Sequence, residues 1–365
     1  MKIKVVSIIA FRNIENFTFK AQDITLISGN NMKGKTNTLN AINWCLTGVD
    51  LNGSNDNGLN IPKGKDRAYV RIELDSGVIE RIAKLEDNQV KSTIIINGKE
   101  FGAKTADKEI DKLLGISEIS AFDTQKVKVK RLLLNPMLYR SIAPKDLRNW
   151  LINVLFGNVK ESQIIKQSNL SEVSKKLLLN ELDTITLAEL SQANSSNKKK
   201  CEEEIKQKDI ILDYLHSKLI NAYNEELENE KKSLKKNLLK YSELKVAIDE
   251  GALELNKFYA SVLSKRTLDI VLLERNKEED SYKEVCYPRI NGNFPIQNGS
   301  TAELIVVSVM FINLLETLTN TKSFPKLIDE GETLDKQMLE SLRESNSQLF
   351  ITKVSYELQE GVKVE

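Results

Sequence analysis

The chain has 365 residues, 41% of them hydrophobic, enough for a sizeable core and for more than one structural unit. Its 53 basic and 52 acidic residues leave a net charge of +1, which excludes a global basic field and makes any nucleic-acid contact local. Cys45, Cys201 and Cys286 are widely spaced and form no C-x-x-C, which excludes a readable zinc site and argues for a reducing compartment. The start, Met1-Lys-Ile-Lys-Val-Val, does not read as a signal peptide, and no apolar run approaches the ~20 residues of a membrane helix. The expectation is a cytoplasmic protein with no membrane association.

Residues 2–9, 17–20 and 24–28 read as strands. A meander follows at 68–74, 78–85 and 91–96, broken by Asp75-Ser-Gly77, Asp87-Asn88 and Asn97-Gly98. Helical patterns are expected at 106–114 and 144–156. Between the third strand and a helical run at 36–47 lies Gly29-Asn-Asn-Met-Lys-Gly34-Lys35-Thr36, the G-x-x-x-x-G-K-[ST] pattern of a phosphate-binding loop. In the helix, Leu39, Ile42, Cys45 and Leu46 are expected on one side. Strand, glycine loop and helix are the setting this motif needs. Backbone N–H groups from Asn30 and Asn31 through Gly34 to Asn37 would cradle phosphates at the helix N-terminus. Lys35 would reach the β/γ-phosphates, and the Thr36 hydroxyl would ligate Mg²⁺. The motif predicts that a nucleoside triphosphate is bound.

From about 159 to 284 glycine is nearly absent and Lys, Glu, Leu and Asn dominate. Ile205, Lys208, Leu212, Leu215 and Leu219 keep alternating three- and four-residue spacing, and Leu227, Leu234, Leu238, Tyr241 and Ile248 keep it less cleanly. Lys231 and Lys245 fall at seam positions. An antiparallel coiled-coil hairpin turning near 221–224 is expected, with two amphipathic helices of a small bundle as the alternative. His216 reads as a solvated helix residue.

After Cys286 the α/β character returns. Residues 302–318 form a strongly apolar helix, and 324–330 read as a buried strand ending in Asp329-Glu330. A helix at 335–344 and a strand at 347–352 follow. Asp329 would hold Mg²⁺ opposite Thr36, and Glu330 would orient and deprotonate the attacking water. The two half-motifs lie near opposite ends of the chain. The implied organisation is an N-terminal lobe at 1–157, a helical insertion at 158–284 and a C-terminal lobe at 285–365, with the two lobes forming one α/β head.

This arrangement resembles the SMC, SbcC and RecF class of ABC-type ATPases, and the short phage-type SbcC-like proteins most. Phe11-Arg12-Asn13 with Phe17 looks like the family's opening, which implies that Arg12 lies beside the nucleotide phosphates. Gln125 falls where a Q-loop glutamine sensing Mg²⁺ and γ-phosphate is expected. The run from Leu132 to Gly157 resembles the segment after that loop. Asn298-Gly299-Ser300-Thr301 looks like a degenerate signature motif, and Leu334-Asp335 like the D-loop. The resemblance implies an ABC-type P-loop head that sandwiches ATP in a homodimer, with Gly299, Ser300 and Thr301 acting across the interface. It also implies DNA recombination or repair, with an SbcD-like nuclease as partner.

Three departures shape that expectation. The signature is degenerate, Lys353 stands where a switch histidine is expected, and Asp329 to Asp335 is one residue tight. They predict slow turnover, an ATP-gated switch in place of a fast motor. The hairpin has no C-x-x-C hook, so dimers would form through the heads. Basic clusters at Lys126/Lys128/Lys130/Arg131, Lys198–Lys200 and Lys231–Lys236 are the local candidates for DNA contact; the first would lie on the head, while the other two read as ordinary helix surface. Two alternatives remain open: an ATP-gated scaffold with little hydrolysis, and a RecF-like mediator without a nuclease.

Overall fold

The computed structural model describes residues 2–87, 89–116, 123–124, 127–157, 159–217, 224–263, 269–289, 299–318, 323–343, 347–355 and 362–364. The chain divides into one unit of Met1–Leu155 with Pro288–Glu365 and another of Phe156–Tyr287.

The first unit opens with β1 (Ile3–Phe11), β2 (Ile14–Lys20) and β3 (Ile24–Gly29), followed by α1 (Lys35–Thr47). Next come β4 (Arg67–Leu74), β5 (Val78–Glu86), β6 (Gln89–Ile96), β7 (Lys99–Phe101), α2 (Ala103–Leu114), α3 (Val129–Leu134) and α4 (Pro144–Phe156). Six strands pair antiparallel in the order β2-β1-β4-β5-β6-β7. Alternation sets the buried face: Ala68, Val70, Ile72 and Leu74 on β4, and Ile79 and Ala83 on β5.

Helix α1 departs from its expected one-sided face. Every residue from Thr38 to Leu46 is buried, because the helix contacts strands of both sheets of this unit. A helix covered all round has no solvent face to mark in sequence. Arg81 takes a core position of β5 and donates from Nε to the Cys45 carbonyl at 3.1 Å, so a cation meets the C-terminal turn of α1.

The second unit contains α5 (Glu161–Gln167), α6 (Glu172–Leu182), α7 (Leu187–Ser217), α8 (Asn224–Leu263), β8 (Asp269–Asn276) and β9 (Ser281–Arg289). Helices α7 and α8 run antiparallel. Asn194 Nδ2 donates to the Tyr241 carbonyl at 3.0 Å, and further along Lys208 pairs with Glu230 and Asp209 with Lys231. The seam lysines are thus matched by acids: Lys231 meets Asp209, and Lys245 meets Asp280 in the β8–β9 turn. His216 is exposed, as read. The ribbon β8–β9 corrects the expectation of helix to residue 284. Ile270, Leu272, Leu273, Val285 and Cys286 are buried in it, at adjacent as well as alternate positions, so no clean two-residue alternation marks the strands.

The first unit resumes with α9 (Thr301–Leu318), β10 (Lys326–Ile328), α10 (Lys336–Arg343), β11 (Leu349–Val354) and β12 (Val362–Val364). The second sheet runs β10-β11-β3-β12, parallel through its first three strands and antiparallel at β12. Short continuous apolar runs suit strands covered on both faces. Ile305, Val309, Ile328, Leu342, Leu349 and Ile351 form one core cluster between α9, α10 and this sheet. β12 was not expected from sequence. Lys326 is fully buried against Glu316, with Nζ at 3.1 Å from both carboxylate oxygens. Among the described residues no helix is long and apolar enough to cross a membrane.

Candidate functional site

The parallel β3 ends at Gly29, where the chain turns through the phosphate loop into α1. Gly34 stands at the helix N-cap with φ 103°, a left-handed conformation, and a Cβ there would come 3.1 Å from Asn13 Oδ1. No side chain caps α1 and no acid lies in its first turn, so the N–H groups of that turn are open to an anion. Lys35 folds back over the loop, donating from Nζ to the carbonyls of Gly29 and Asn30, each at 2.9 Å. That leaves one of its three N–H donors for a phosphate oxygen.

The second half-motif arrives beside the first. Thr36 Oγ1 donates to Asp329 Oδ1 at 3.2 Å. Thr352 Oγ1, on β11, donates to the same oxygen at 2.6 Å and accepts the Glu330 N–H at 3.1 Å. Glu330 has φ 59° and ψ 31°, a left-handed backbone that costs a non-glycine residue about 1–2 kcal/mol. Thr333 helps hold it, donating from its N–H and its hydroxyl to the Glu330 carbonyl. Gly331 is required next: a Cβ there would overlap the Ile351 side chain and lie 2.6 Å from the Thr352 carbonyl oxygen.

An open cavity of about 270 Å³ lies over these groups. It is lined by Asn13, Asn31 and Gly34 to Asn37 on one side, and by Asp329, Glu330, Glu332 and Thr352 on the other. Ligand pockets commonly run to roughly 300–1,000 Å³, so this one suits the phosphate end of a nucleotide with its metal. The donor set is a hydroxyl and a carboxylate, hard oxygens of the kind Mg²⁺ takes together with phosphate and water. Among the described residues no group of three or more His, Cys, Asp or Glu could hold a metal by itself. The residues present therefore fit a magnesium–triphosphate.

Arg12 and Asn13 form the turn of the β1–β2 hairpin, beside the loop. Arg12 does not line the cavity. Its guanidinium pairs with Asp50 at 3.0 Å and donates to Asn60 Oδ1 at 3.1 Å and Asn37 Oδ1 at 3.4 Å. Asn13 accepts from Asn37 Nδ2 at 2.8 Å and donates to the Met32 carbonyl at 2.9 Å. Arg12 thus reaches the loop through two asparagines.

Gly299, Ser300 and Thr301 lie at the N-terminus of α9 and do not line the cavity. Ser300 and Glu303 form a reciprocal cap: the Ser300 N–H reaches Glu303 Oε2 at 2.8 Å and the Glu303 N–H reaches Ser300 Oγ at 3.4 Å. Asp335 caps α10, accepting the Met338 N–H at 2.8 Å. Gln125 and Lys126 lie outside the described residues.

In the basic cluster after Gln125, Lys128 is exposed, but Lys130 is not open to a partner. Lys130 is 7% exposed and paired with Asp107 and Asp111, and Lys128 pairs with Asp123. The Arg131 guanidinium packs against Gly53, where burial lowers its pKa and the nearby Asp50 charge opposes the shift. Packing of α2 brings Asp107 and Asp111 onto Lys130. In the helical unit, Lys199 and Lys200 are exposed.

Sequence reasoning missed Asp50, Asn60, Glu332 and Thr352. Asp50 and Asn60 sit in an Asn/Asp/Gly-rich stretch that reads as plain loop. The one available signal was a hydroxyl in the otherwise apolar run before Lys353.

A family profile described as AAA domain matches residues 2–285. Curated relatives include the DNA replication and repair protein RecF of Clostridium acetobutylicum, 26% identical over 198 residues, 54% of this chain and 52% of that protein. RecF of Clostridium perfringens is 25% identical over 181 residues, 48% of this chain and 47% of that protein. The chain spans about half the length of the curated relatives it matches. A solved structure of the recombination mediator protein RecF with ATP in the RecFOR pathway aligns over 100% of this chain and 99% of its own, with 17% identity and a TM-score of 0.42.

Proposed function

The chain belongs to the AAA domain family, as an ABC ATPase of the SMC/RecF type, and from that premise we propose that it binds Mg²⁺-ATP, hydrolyses it slowly and acts on DNA as a recombination or repair mediator. The observation that carries this reading is the Thr36–Asp329 hydrogen bond, which brings two halves of a phosphoryl-transfer site together from opposite ends of the chain.

In this reading the open N–H groups of α1 and the Lys35 ammonium bind the phosphates. Thr36 and Asp329 would hold Mg²⁺, which would supply positive charge against the charge that develops on the phosphoryl group. Glu330, on the cavity wall, orients water and accepts its proton at a carboxylate oxygen. Gln125 would report on the same phosphate. Asn13 and Asn37 set the loop, and Arg12 sets Asn37.

Gly299, Ser300 and Thr301 would act on ATP held by a second copy, making the active form a head-to-head homodimer. Their place outside this chain's own cavity supports that assignment. Asp335 would sit at the same dimer face. Helices α7 and α8 would be the arms of a coiled-coil hairpin. The matched relatives are named DNA replication and repair proteins, which supports the DNA replication and repair part of this reading.

The test is steady-state ATP hydrolysis with Mg²⁺, with and without duplex DNA, beside Lys35→Ala and Glu330→Gln, with light scattering for mass. DNA-stimulated turnover lost in both variants, and an ATP-dependent dimer of Glu330→Gln, are expected. ATP binding without turnover above the variants removes the enzyme and leaves a nucleotide-gated scaffold.

A further inference from the structure

Thr352 belongs to no motif, yet it touches both acids of the site. It is 1% exposed, in the buried part of β11, where a valine would satisfy strand preference and burial equally well. A hydroxyl in such a place needs partners. Its one proton goes to Asp329 Oδ1, and its oxygen accepts the Glu330 N–H. Its backbone carbonyl lies against Gly331, close enough that a Cβ there would be 2.6 Å away. Three consecutive residues of the acidic turn are therefore registered on one threonine.

The consequences for the two acids differ. Asp329 Oδ1 takes the hydroxyls of both Thr36 and Thr352, and no protein donor contacts Oδ2 among the described residues. The carboxylate is oriented with one oxygen left for a cation. Glu330 is held through its backbone, so its strained left-handed conformation persists and its side chain stays on the cavity wall. Lys353, the next residue, is exposed and makes neither contact.

We propose that Thr352 is a positioning residue of this site, orienting Asp329 for the cation and locking the backbone of Glu330. The assignment rests on the Mg²⁺-ATP reading above.

The test compares Thr352→Val, which keeps shape and removes the hydroxyl, with Thr352→Ser, which restores it. Binding of a fluorescent non-hydrolysable ATP analogue is titrated against Mg²⁺, and Mg²⁺-ATP turnover is measured separately. Thr352→Val should need at least about tenfold more Mg²⁺ for half-maximal analogue binding, as loss of a hydrogen bond to a metal ligand typically causes, with Mg²⁺-free binding unchanged. Its turnover should fall at least about tenfold. Thr352→Ser should return both to within about threefold of the wild type.

A valine variant with wild-type Mg²⁺ requirement and turnover overturns the proposal. So does a variant that loses Mg²⁺-free binding in proportion, or a serine that fails to rescue, since both indicate only a damaged fold. If the wild type turns over no faster than Lys35→Ala, the hydrolysis reading fails and the Mg²⁺ titration alone decides on Thr352. A wild type that binds no analogue overturns the nucleotide reading, and this assignment with it.

Discussion

The Thr36 hydroxyl and the Asp329 carboxylate are 3.2 Å apart although 293 positions separate them in the chain. Both are oxygen ligands of the kind a magnesium ion takes. Thr36→Val removes one and leaves the strand and loop intact. Half-maximal binding of an ATP analogue should then require roughly 10–100-fold more Mg²⁺, the range seen when metal-site partners are lost. Calorimetric titration with and without Mg²⁺ checks it, and an unchanged requirement would remove Thr36 from the cation site.

Glu330 carries backbone strain that a glycine would not. Glu330→Gly should raise unfolding stability by up to about 1 kcal/mol, less the extra freedom glycine gains when unfolded. It should abolish ATP turnover at the same time. Urea unfolding beside a turnover assay reads both, and a loss of stability would mean that the side chain itself supports the turn.

The buried Lys326–Glu316 pair has unequal halves. Burial pushes the Glu316 pKa up and the Lys326 pKa down, each opposed by its partner's charge. Glu316 also accepts the Phe324 N–H at 2.9 Å. Glu316→Leu leaves a buried ammonium and an orphaned N–H, and should cost about 3–5 kcal/mol at neutral pH. Lys326→Met should cost less, because Glu316 can protonate. With the lysine gone, the native state of that variant binds a proton the unfolded state has lost, so its stability should improve as pH falls from 8 to 5. Urea midpoints across that range test the sign.

Cys45 gives an alkaline counterpart. Burial pushes its thiol from 9.0 up to about 12. Between these values the unfolded chain releases a proton that the folded chain keeps, so stability is full below pH 9 and falls as pH rises toward 12. The loss is on the order of 4 kcal/mol at its limit. Cys45→Ala should start less stable at pH 8 and show a shallower decline. All three cysteines are buried, so disulfide reagents should react only after denaturation.

How far each part was legible follows from how local its signal is. The strands β4 to β6 and the phosphate loop are written within single short windows, as is the Asp329-Glu330 strand end. β12 has only Val362-Lys-Val364, too short to show a pattern, and is defined by its pairing with β3. The ribbon β8–β9 turns through Asn276 to Asp280, a charged run that resembles the helices before it. The basic cluster at Lys128 to Arg131 could be counted in sequence, but the acids of α2 that neutralise Lys130 could not be seen beside it. Thr352 is one hydroxyl among apolar neighbours until Asp329 and Glu330 arrive.

The strand that carries the phosphate loop has both its hydrogen-bonded neighbours, β11 and β12, beyond residue 348. On the ribosome, β3 therefore emerges well before β11 and β12, and neither edge can be paired until they are made. Such long-range pairing folds slowly and leaves open edges that template aggregation. A premature stop between α1 and β11 would release a polypeptide with a complete phosphate loop and neither neighbour of β3. Closure of the sheet beneath the phosphate loop thus depends on residues made long after the loop itself.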